Sequence, residues 1–261
     1  MNKIRSLTFI SALTCASSTA FSADWSNTQL HLNHGDFKNP FSTNEASTTV
    51  YSLQHSSGYK YGDNFFFVDY LVDDLDDNYQ DRDFYGEWYS NFSLSKIGGL
   101  DIKSRYIKDI GIVAGFNMAG DSKVMKYLPG LKVSWDVKGF SFLSTLFTAY
   151  IDDSEGLTKG GAPAQTNSWM IDIAWGYPFT IGNQKFEVTG HVEYIAERES
   201  ETGSDVKGWL LAQPIIRWDL GHALEMPSNQ LYLGVEWQYW RNKLGTDTNE
   251  SVPQVHVAWT F

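Results

Sequence analysis

The chain has 261 residues, of which 42% are hydrophobic and 20% are charged, and its formal net charge is -11. An aromatic content of 15% is too high for a disordered chain, and the excess of acidic residues disfavours binding to nucleic acid. Beyond the first 23 residues, no uncharged stretch approaches the roughly 20 residues that a membrane-spanning helix needs. A disordered chain, a nucleic-acid-binding protein and a helical membrane protein are therefore disfavoured.

Residues 1–22 have the pattern of a secretory signal peptide. A basic start precedes the apolar segment Leu7–Leu13, and Ala20-Phe21-Ser22 fits a cleavage site with small residues at both ends. We therefore expect one exported domain that spans residues 23–261. The single cysteine, Cys15, lies within the leader, so this domain has no disulfide to stabilise it.

The rest of the chain alternates between apolar and polar residues with a period of two. The alternation recurs in about twelve segments and is typical of β-strands, whereas no helical period is sustained. Clear examples are Phe66–Val72, Leu131–Val137, Trp169–Tyr177 and Leu231–Tyr239. A soluble β-sandwich would show the same alternation. The aromatic residues near the ends of the apolar faces favour a barrel, because membrane barrels carry aromatic girdles at both interfaces.

The connections between the segments support the same fold. With the N-terminus placed in the periplasm, the predicted outer loops are polar or charged, and several predicted inner connections are shorter. The outer loops are Gly35–Ser47, Asp73–Arg82, Met118–Met125, Asp152–Gln165, Ala196–Asp205 and Asn242–Ser251, and the short inner connections are Lys96–Leu100, Lys138–Gly139 and Thr180–Gln184. The sequence therefore predicts an all-β fold, an antiparallel transmembrane β-barrel of about 12 strands in the bacterial outer membrane.

The end of the chain supports export to that membrane. Val255, Val257, Trp259 and Phe261 lie on one face of the last segment, and Phe261 is terminal. This arrangement resembles the terminal signal that bacterial outer-membrane assembly machinery reads. We therefore expect two partners, the lipid bilayer and the assembly machinery, the latter contacted through Phe261.

Several segments resemble the Tsx-type nucleoside-specific channels. The similar segments are Asp24-Trp25-Ser26-Asn27-Thr28, Tyr85–Lys96, Tyr177-Pro178-Phe179, Tyr239-Trp240-Arg241 and Trp259-Thr260-Phe261. The resemblance follows the order of the strands through residues 23–261. It implies a monomeric barrel of twelve strands through which nucleosides diffuse passively.

A nucleoside combines a flat base with an uncharged sugar that carries several hydroxyl groups. Binding it in water requires aromatic faces for stacking and carboxylates or amides that accept the hydroxyl protons. Alternation places such side chains on the predicted inner face, and the predicted binding residues are Phe65, Phe67, Asp69, Tyr85, Glu87, Tyr89, Asn91, Glu236, Gln238 and Trp240. Phe147 and Tyr232 are further inward candidates. Each aromatic ring has an alternative role, which is to fill a narrow lumen, and each carboxylate has an alternative role in a cross-strand ion pair.

Other chemistry has little support in the sequence. Asp74-x-Asp76-x-Asn78 begins like a calcium loop, but Tyr79 replaces the glycine that such a loop needs. The six histidines are scattered, with His191 and His256 the only inward candidates for a general base, and no nucleophile motif occurs. We therefore predict no metal, no cofactor and no enzymatic activity. The alternative function is a non-transport barrel that serves as an adhesin, a phage receptor or a structural protein through acidic outer loops.

Overall fold

The computed structural model describes residues 23–77 and 79–261, so the predicted leader with Cys15 lies outside the described residues. The described chain forms twelve antiparallel strands, two of which consist of two segments. The strands are β1 Trp25–Lys38, β2 Glu45–Tyr59, β3 Gly62–Val72, β4 Arg82–Ser93, β5 Ile107–Ala119, β6 Val124–Tyr127 with Gly130–Trp135, β7 Phe142–Asp152, β8 Ser168–Ile181, β9 Gln184–Ile195, β10 Trp209–Ala212 with Ile215–Asp219, β11 Leu231–Arg241 and β12 Glu250–Thr260.

The sheet closes into a barrel because the last strand pairs with the first. β12 runs antiparallel to β1, with Leu30 opposite Trp259 and Asn33 opposite His256. Every other strand pairs with its neighbours in chain order. The Phe261 amide extends the closing seam by donating to the Thr28 carbonyl over 3.0 Å. Closure leaves no unpaired edge, which a sheet in lipid requires.

The alternation in the sequence becomes an inner and an outer face. On β11, Leu233, Val235 and Trp237 are exposed on the outside, whereas Glu236 and Gln238 are buried inside. An outward apolar band around a closed sheet is what a hydrocarbon layer stabilises. The predicted fold class, an antiparallel transmembrane barrel, is therefore confirmed. None of the helices within the described residues is long and apolar enough to cross a membrane.

Proline explains the two interruptions. Pro129 separates the segments of β6, and Pro214 follows Gln213 between the segments of β10. Proline has no N–H to donate to the ladder, so a central strand must bend or bulge at this position. At the second interruption the backbone N–H of Gln213 still donates to the backbone carbonyl of His191 over 3.0 Å.

The connections divide the barrel into two ends. The loop end carries residues 39–44, 73–81, 120–123, 153–167, 196–208 and 242–249, and the turn end carries the others. The predicted contrast in length is only partly present. The loop 120–123 is a tight turn, whereas the turn-end connections 94–106 and 220–230 are long and contain the short helices α1 Leu94–Gly98 and α2 Leu220–Ala223. Capping explains both helices, since the Ser93 side chain accepts from the Lys96 amide and the Asp219 side chain accepts from the His222 amide.

The interior of the barrel contains two apolar clusters. One cluster joins β1, β2, β3 and β12 through Phe37, Val50, Leu71 and Val252. The other joins β6 to β10 through Leu128, Tyr150, Met170, Ile195 and Trp209. These residues lie in the halves of their strands nearest the loop end. The lumen therefore has two apolar patches near that end, and polar side chains line its middle.

Candidate functional site

The first wall of the candidate site lies on β3 and β4, as predicted. Phe67 is opposite Glu87 in the pairing of the two strands, and Asp69 is opposite Tyr85. The ring centres of Phe65 and Phe67 are 6.1 Å apart, and those of Phe67 and Tyr85 are 5.9 Å apart. The two strands therefore present a continuous aromatic surface to the lumen.

Glu87 lies at the centre of this wall. Its two carboxylate oxygens accept hydrogen bonds from the hydroxyl groups of Tyr85 and Tyr89, the second over 2.8 Å. The Tyr89 hydroxyl is also 3.2 Å from the Asn117 amide oxygen on β5. Two rings and a carboxylate are thus fixed relative to one another, in the preorganised way that a binding surface needs.

Asp69 differs from Glu87 in its hydrogen bonding. It faces the lumen opposite Ser52 and Tyr85, and its Oδ1 atom is buried without a hydrogen-bond partner within residues 23–77 and 79–261. A buried acceptor without a donor costs free energy. A solute with a hydroxyl group or an N–H would supply the missing donor.

The second wall lies on β11, β12 and β1, which β2 separates from the first wall. Buried Glu236 accepts from the Asn33 amide over 3.0 Å, from the Gln254 amide over 2.9 Å and from the Gln213 amide over 3.1 Å. Gln238 accepts from Gln213 over 3.1 Å. These three side-chain amides satisfy much of the hydrogen-bonding capacity of the Glu236 carboxylate and hold it in one position.

The second wall belongs to a polar belt that the sequence did not predict as a unit. His191 on β9 lies 2.9 Å from both Asp172 Oδ1 on β8 and Gln213 Oε1 on β10. Gln213 then leads to Glu236, and Glu236 leads to Gln254 and Asn33. The belt therefore crosses six consecutive strands, from β8 through β12 to β1. Its members hydrogen-bond to carboxylates and amides, and both ring nitrogens of His191 are engaged in this way.

Asn91 and Trp240, both predicted binding residues, lie away from Glu87. Asn91 is buried near the turn end, where its amide donates to Asp63 over 2.7 Å. Asn91 is four positions from Glu87 along one strand, a distance of roughly 13 Å. Trp240 lies near the loop end, with its ring centre 6.3 Å from that of Trp209. The predicted residues thus share the inner face, but Asn91 lies near the turn end, Trp240 lies near the loop end, and Glu87 lies between them along the barrel axis.

The charges of the lumen are acidic in balance. Lys132 pairs with Asp63 at 2.6 Å, and Arg217 pairs with Glu187 at 2.6 Å. Glu87 interacts electrostatically with residues on β8 and β9, among them Asp172, His191 and Glu193. Alternation along Leu131–Val137 predicts Asp136 on the lumen face, but Asp136 is exposed in the connection 136–141, because β6 ends at Trp135.

The orientation predicted for β7 is wrong by one residue. Phe147 was expected inside, but it is 51% exposed on the outer face and contacts Trp169, with their ring centres 5.8 Å apart. Tyr150 lies three positions further along the strand, so the same prediction puts it outside, but it is 6% exposed and faces inward. Apolar residues occur on both faces of this strand, so alternation alone does not fix its orientation. The inward Asp152 at its end is the signal that would have identified the lumen face.

Sequence reasoning also missed a group of lumen residues near the loop end. Tyr150, Glu193, Arg198 and Trp209 are all buried, although Arg198 belongs to the connection 196–208. The Arg198 guanidinium lies 4.0 Å from the centre of the Trp209 ring and 5.2 Å from that of Tyr150. A basic residue in a loop carries no sequence signal that it folds back into a barrel.

Two loops fold toward the lumen at the loop end. Lys243 from the connection 242–249 pairs with Glu250 at 2.8 Å, and its ammonium group lies 5.6 Å from the centre of the Tyr79 ring. Hydrogen bonds from Asn44 and Asn39 hold the pKa of Asp77 below its ordinary value and join the connections 39–44 and 73–81.

Among the described residues, no group of three His, Cys, Asp or Glu side chains is arranged to bind a metal ion.

Comparison with known proteins identifies the fold. No family model and no curated protein matches the chain. Among solved structures, the NanC porin is similar with a TM-score of 0.52 and 13% identity, over 89% of this chain and 98% of that one. The KdgM porin has a TM-score of 0.47 and 10% identity, over 89% of this chain and 99% of that one. OmpT of Vibrio cholerae has a TM-score of 0.40 and 9% identity, over 92% and 97% of the two chains.

These likenesses concern the fold and not the solute. The closed barrel of twelve strands and its outward apolar band place the protein in the bacterial outer membrane. The resemblance to Tsx-type channels, the signal peptide and the binding role of the inward residues stay predictions.

Proposed function

We propose that the protein is an outer-membrane channel through which nucleosides or similar small neutral solutes diffuse passively. The observation that carries the proposal is the wall of Phe67, Tyr85, Glu87 and Tyr89. It combines ring faces with a carboxylate whose position two hydroxyl groups fix. Stacking on such rings is worth about 1–3 kcal/mol per base, and the carboxylate is an acceptor for ribose hydroxyl groups.

The second wall supplies the second requirement. Glu236 and Gln238 face the same lumen from β11 and present further acceptors. The acidic side chains of both walls repel an anion, whereas they exert little net electrostatic force on a neutral solute. The likeness in fold to the NanC porin supports a channel, and the Tsx-like segments support nucleosides as the solute.

Single-channel recording tests this proposal directly. The folded barrel is inserted in a planar bilayer, and the ion current is recorded while uridine or adenosine is added. We expect the current to fall to a saturable limit as the nucleoside occupies the lumen. Glucose, which lacks an aromatic base, is the control and should not block. A conducting barrel that no nucleoside blocks would refute the solute class.

A second candidate function rests on the packing of the interior. The apolar cluster around Phe37 and the buried Lys243–Glu250 pair occupy the lumen near the loop end. If these groups close the lumen, the barrel acts at the cell surface as an adhesin, a phage receptor or a structural protein. A folded barrel without any measurable conductance would support this function over the channel.

A further inference from the structure

Arg198 is an arginine from a loop that lies within the barrel. The strand β9 ends at Ile195, yet the Arg198 side chain is only 7% exposed. Its guanidinium packs on Trp209 and Tyr150, both of which face the lumen from β10 and β7. Arg198 is therefore part of the lumen wall near the loop end.

Two hydrogen bonds fix the orientation of the guanidinium and leave part of it free. Nε donates to Gln165 Oε1 over 2.6 Å, and Nη1 donates to the Ala196 carbonyl over 3.0 Å. Nη2 is buried and has no hydrogen-bond partner among the residues that the structure describes. The geometry of the side chain is thus set before any solute arrives, with one donor unused.

Trp240 supplies a second unused donor nearby. Its Nε1 atom is also buried without a partner in the described part of the chain, and its ring is 6.3 Å from that of Trp209. Both unused groups are N–H donors. Because buried donors without acceptors cost free energy, a solute that brings acceptor atoms gains from entering this place.

The surrounding charges favour a neutral acceptor over an anion. Asp152 and Glu193 attract the Arg198 guanidinium and partly balance its charge. Lys126, the other cation of this region, already pairs with Asp152 at 2.6 Å. A solute anion would also approach the neighbouring carboxylates of Glu87 and Glu193 on its way through the lumen. A carbonyl oxygen on a flat ring satisfies the donors without that repulsion.

We propose that Arg198 and Trp240, with the rings of Tyr150 and Trp209, form a subsite that selects nucleosides whose base carries a carbonyl group. The proposal rests on the proposed nucleoside channel and adds a preference within it. Inosine has a carbonyl oxygen at the position where adenosine has an amino group, and the two nucleosides are otherwise alike in size. The subsite therefore favours inosine, since an amino group is a donor that faces other donors.

The test compares blockade of single-channel current by inosine and by adenosine. In the unmodified protein we expect inosine to have a dissociation constant about tenfold lower, as one hydrogen bond to a charged donor implies. Arg198→Met should bring the two constants close together. Trp240→Phe keeps an aromatic ring but removes the N–H, so it should reduce the ratio of the two constants.

Arg105→Met is the matched control. Arg105 also lies over an aromatic ring, 5.0 Å from the centre of Tyr106, but it is exposed at the turn end and should leave the ratio unchanged. The proposal is overturned if both nucleosides block the unmodified channel equally, or if the ratio survives Arg198→Met in a barrel with normal basal conductance. Tighter blockade by inosine 5′-monophosphate than by inosine would make the subsite an anion site instead. Failure of both nucleosides to block a conducting channel would refute the nucleoside channel itself.

Discussion

Lys243 and Glu250 form an ion pair at 2.8 Å in which both side chains are almost completely buried, at 2% and 0% exposure. The Lys243 ammonium also donates to the Lys38 carbonyl over 2.8 Å, and Glu250 accepts from the Gln238 amide over 2.8 Å. The pair thus joins the connection 242–249 to β1, β11 and β12 inside the barrel.

Removal of one member of this pair should destabilise the barrel. Lys243→Met leaves the Glu250 carboxylate buried and uncompensated, which typically costs about 3–5 kcal/mol. The measurement is the free energy of unfolding of the barrel in guanidinium. Lys207→Met is the control, because the Lys207–Asp247 pair is exposed and should contribute little. Equal stability of the Lys243→Met variant and the unmodified protein would contradict the role of the pair.

Stacking on β4 gives a prediction about the binding wall. Tyr85→Ala removes an inward ring and should weaken blockade by nucleosides by about 1–3 kcal/mol, with basal conductance unchanged or higher. Trp88 lies on the same strand but faces outward against Phe116. Trp88→Ala should therefore reduce insertion or stability and leave blockade intact. If Trp88→Ala abolished blockade and Tyr85→Ala left it intact, the inner and outer faces assigned to β4 would be interchanged.

The position of Tyr89 depends on a glycine of the next strand. A Cβ atom at Gly115 would lie 2.5 Å from the Tyr89 ring and 3.0 Å from the Trp88 carbonyl. Gly115→Val should therefore displace Tyr89 from Glu87 and weaken blockade, as measured in the same recordings. Ala114→Val changes the exposed outer face one residue away and serves as the control. Unaltered blockade by Gly115→Val would argue that Tyr89 does not contribute.

The unequal charges of the lumen predict its ionic preference. Because Lys132 and Arg217 are each paired with a carboxylate, Asp69, Glu87 and Glu236 leave an acidic excess. We expect the channel to prefer cations, with a preference that declines as salt screens the charges. Reversal potentials in a gradient of potassium chloride measure it.

The same charges should separate nucleosides from nucleotides. At low salt, uridine should pass faster than uridine 5′-monophosphate in a liposome flux assay, and Glu87→Gln with Glu236→Gln should reduce the difference. Equal flux of the two solutes through the unmodified channel would contradict the charge argument.

The alternation along the chain is sufficient to predict a β-barrel and the inner and outer faces of most strands. A period of two fixes which side chains share a face, and the polarity of each face tells lipid from lumen, as for Glu236 and Trp237. It also placed Phe67, Asp69, Tyr85 and Glu87 in one zone, because hairpin neighbours pair in register. On β7, where Phe147 and Tyr150 are both aromatic, the polarity of the faces is ambiguous and the prediction was wrong.

The contacts between side chains from different strands inside the barrel could not be predicted from the alternation. The belt from Asp172 to Asn33 joins side chains from six strands. These side chains lie far apart in the sequence, and the curvature of the closed sheet determines which of them come into contact. The inward path of Arg198 and of Lys243 depends on loops that pack into the barrel. Loop conformation follows from contacts with distant residues such as Gln165, Trp209 and Glu250, and no local pattern encodes those contacts.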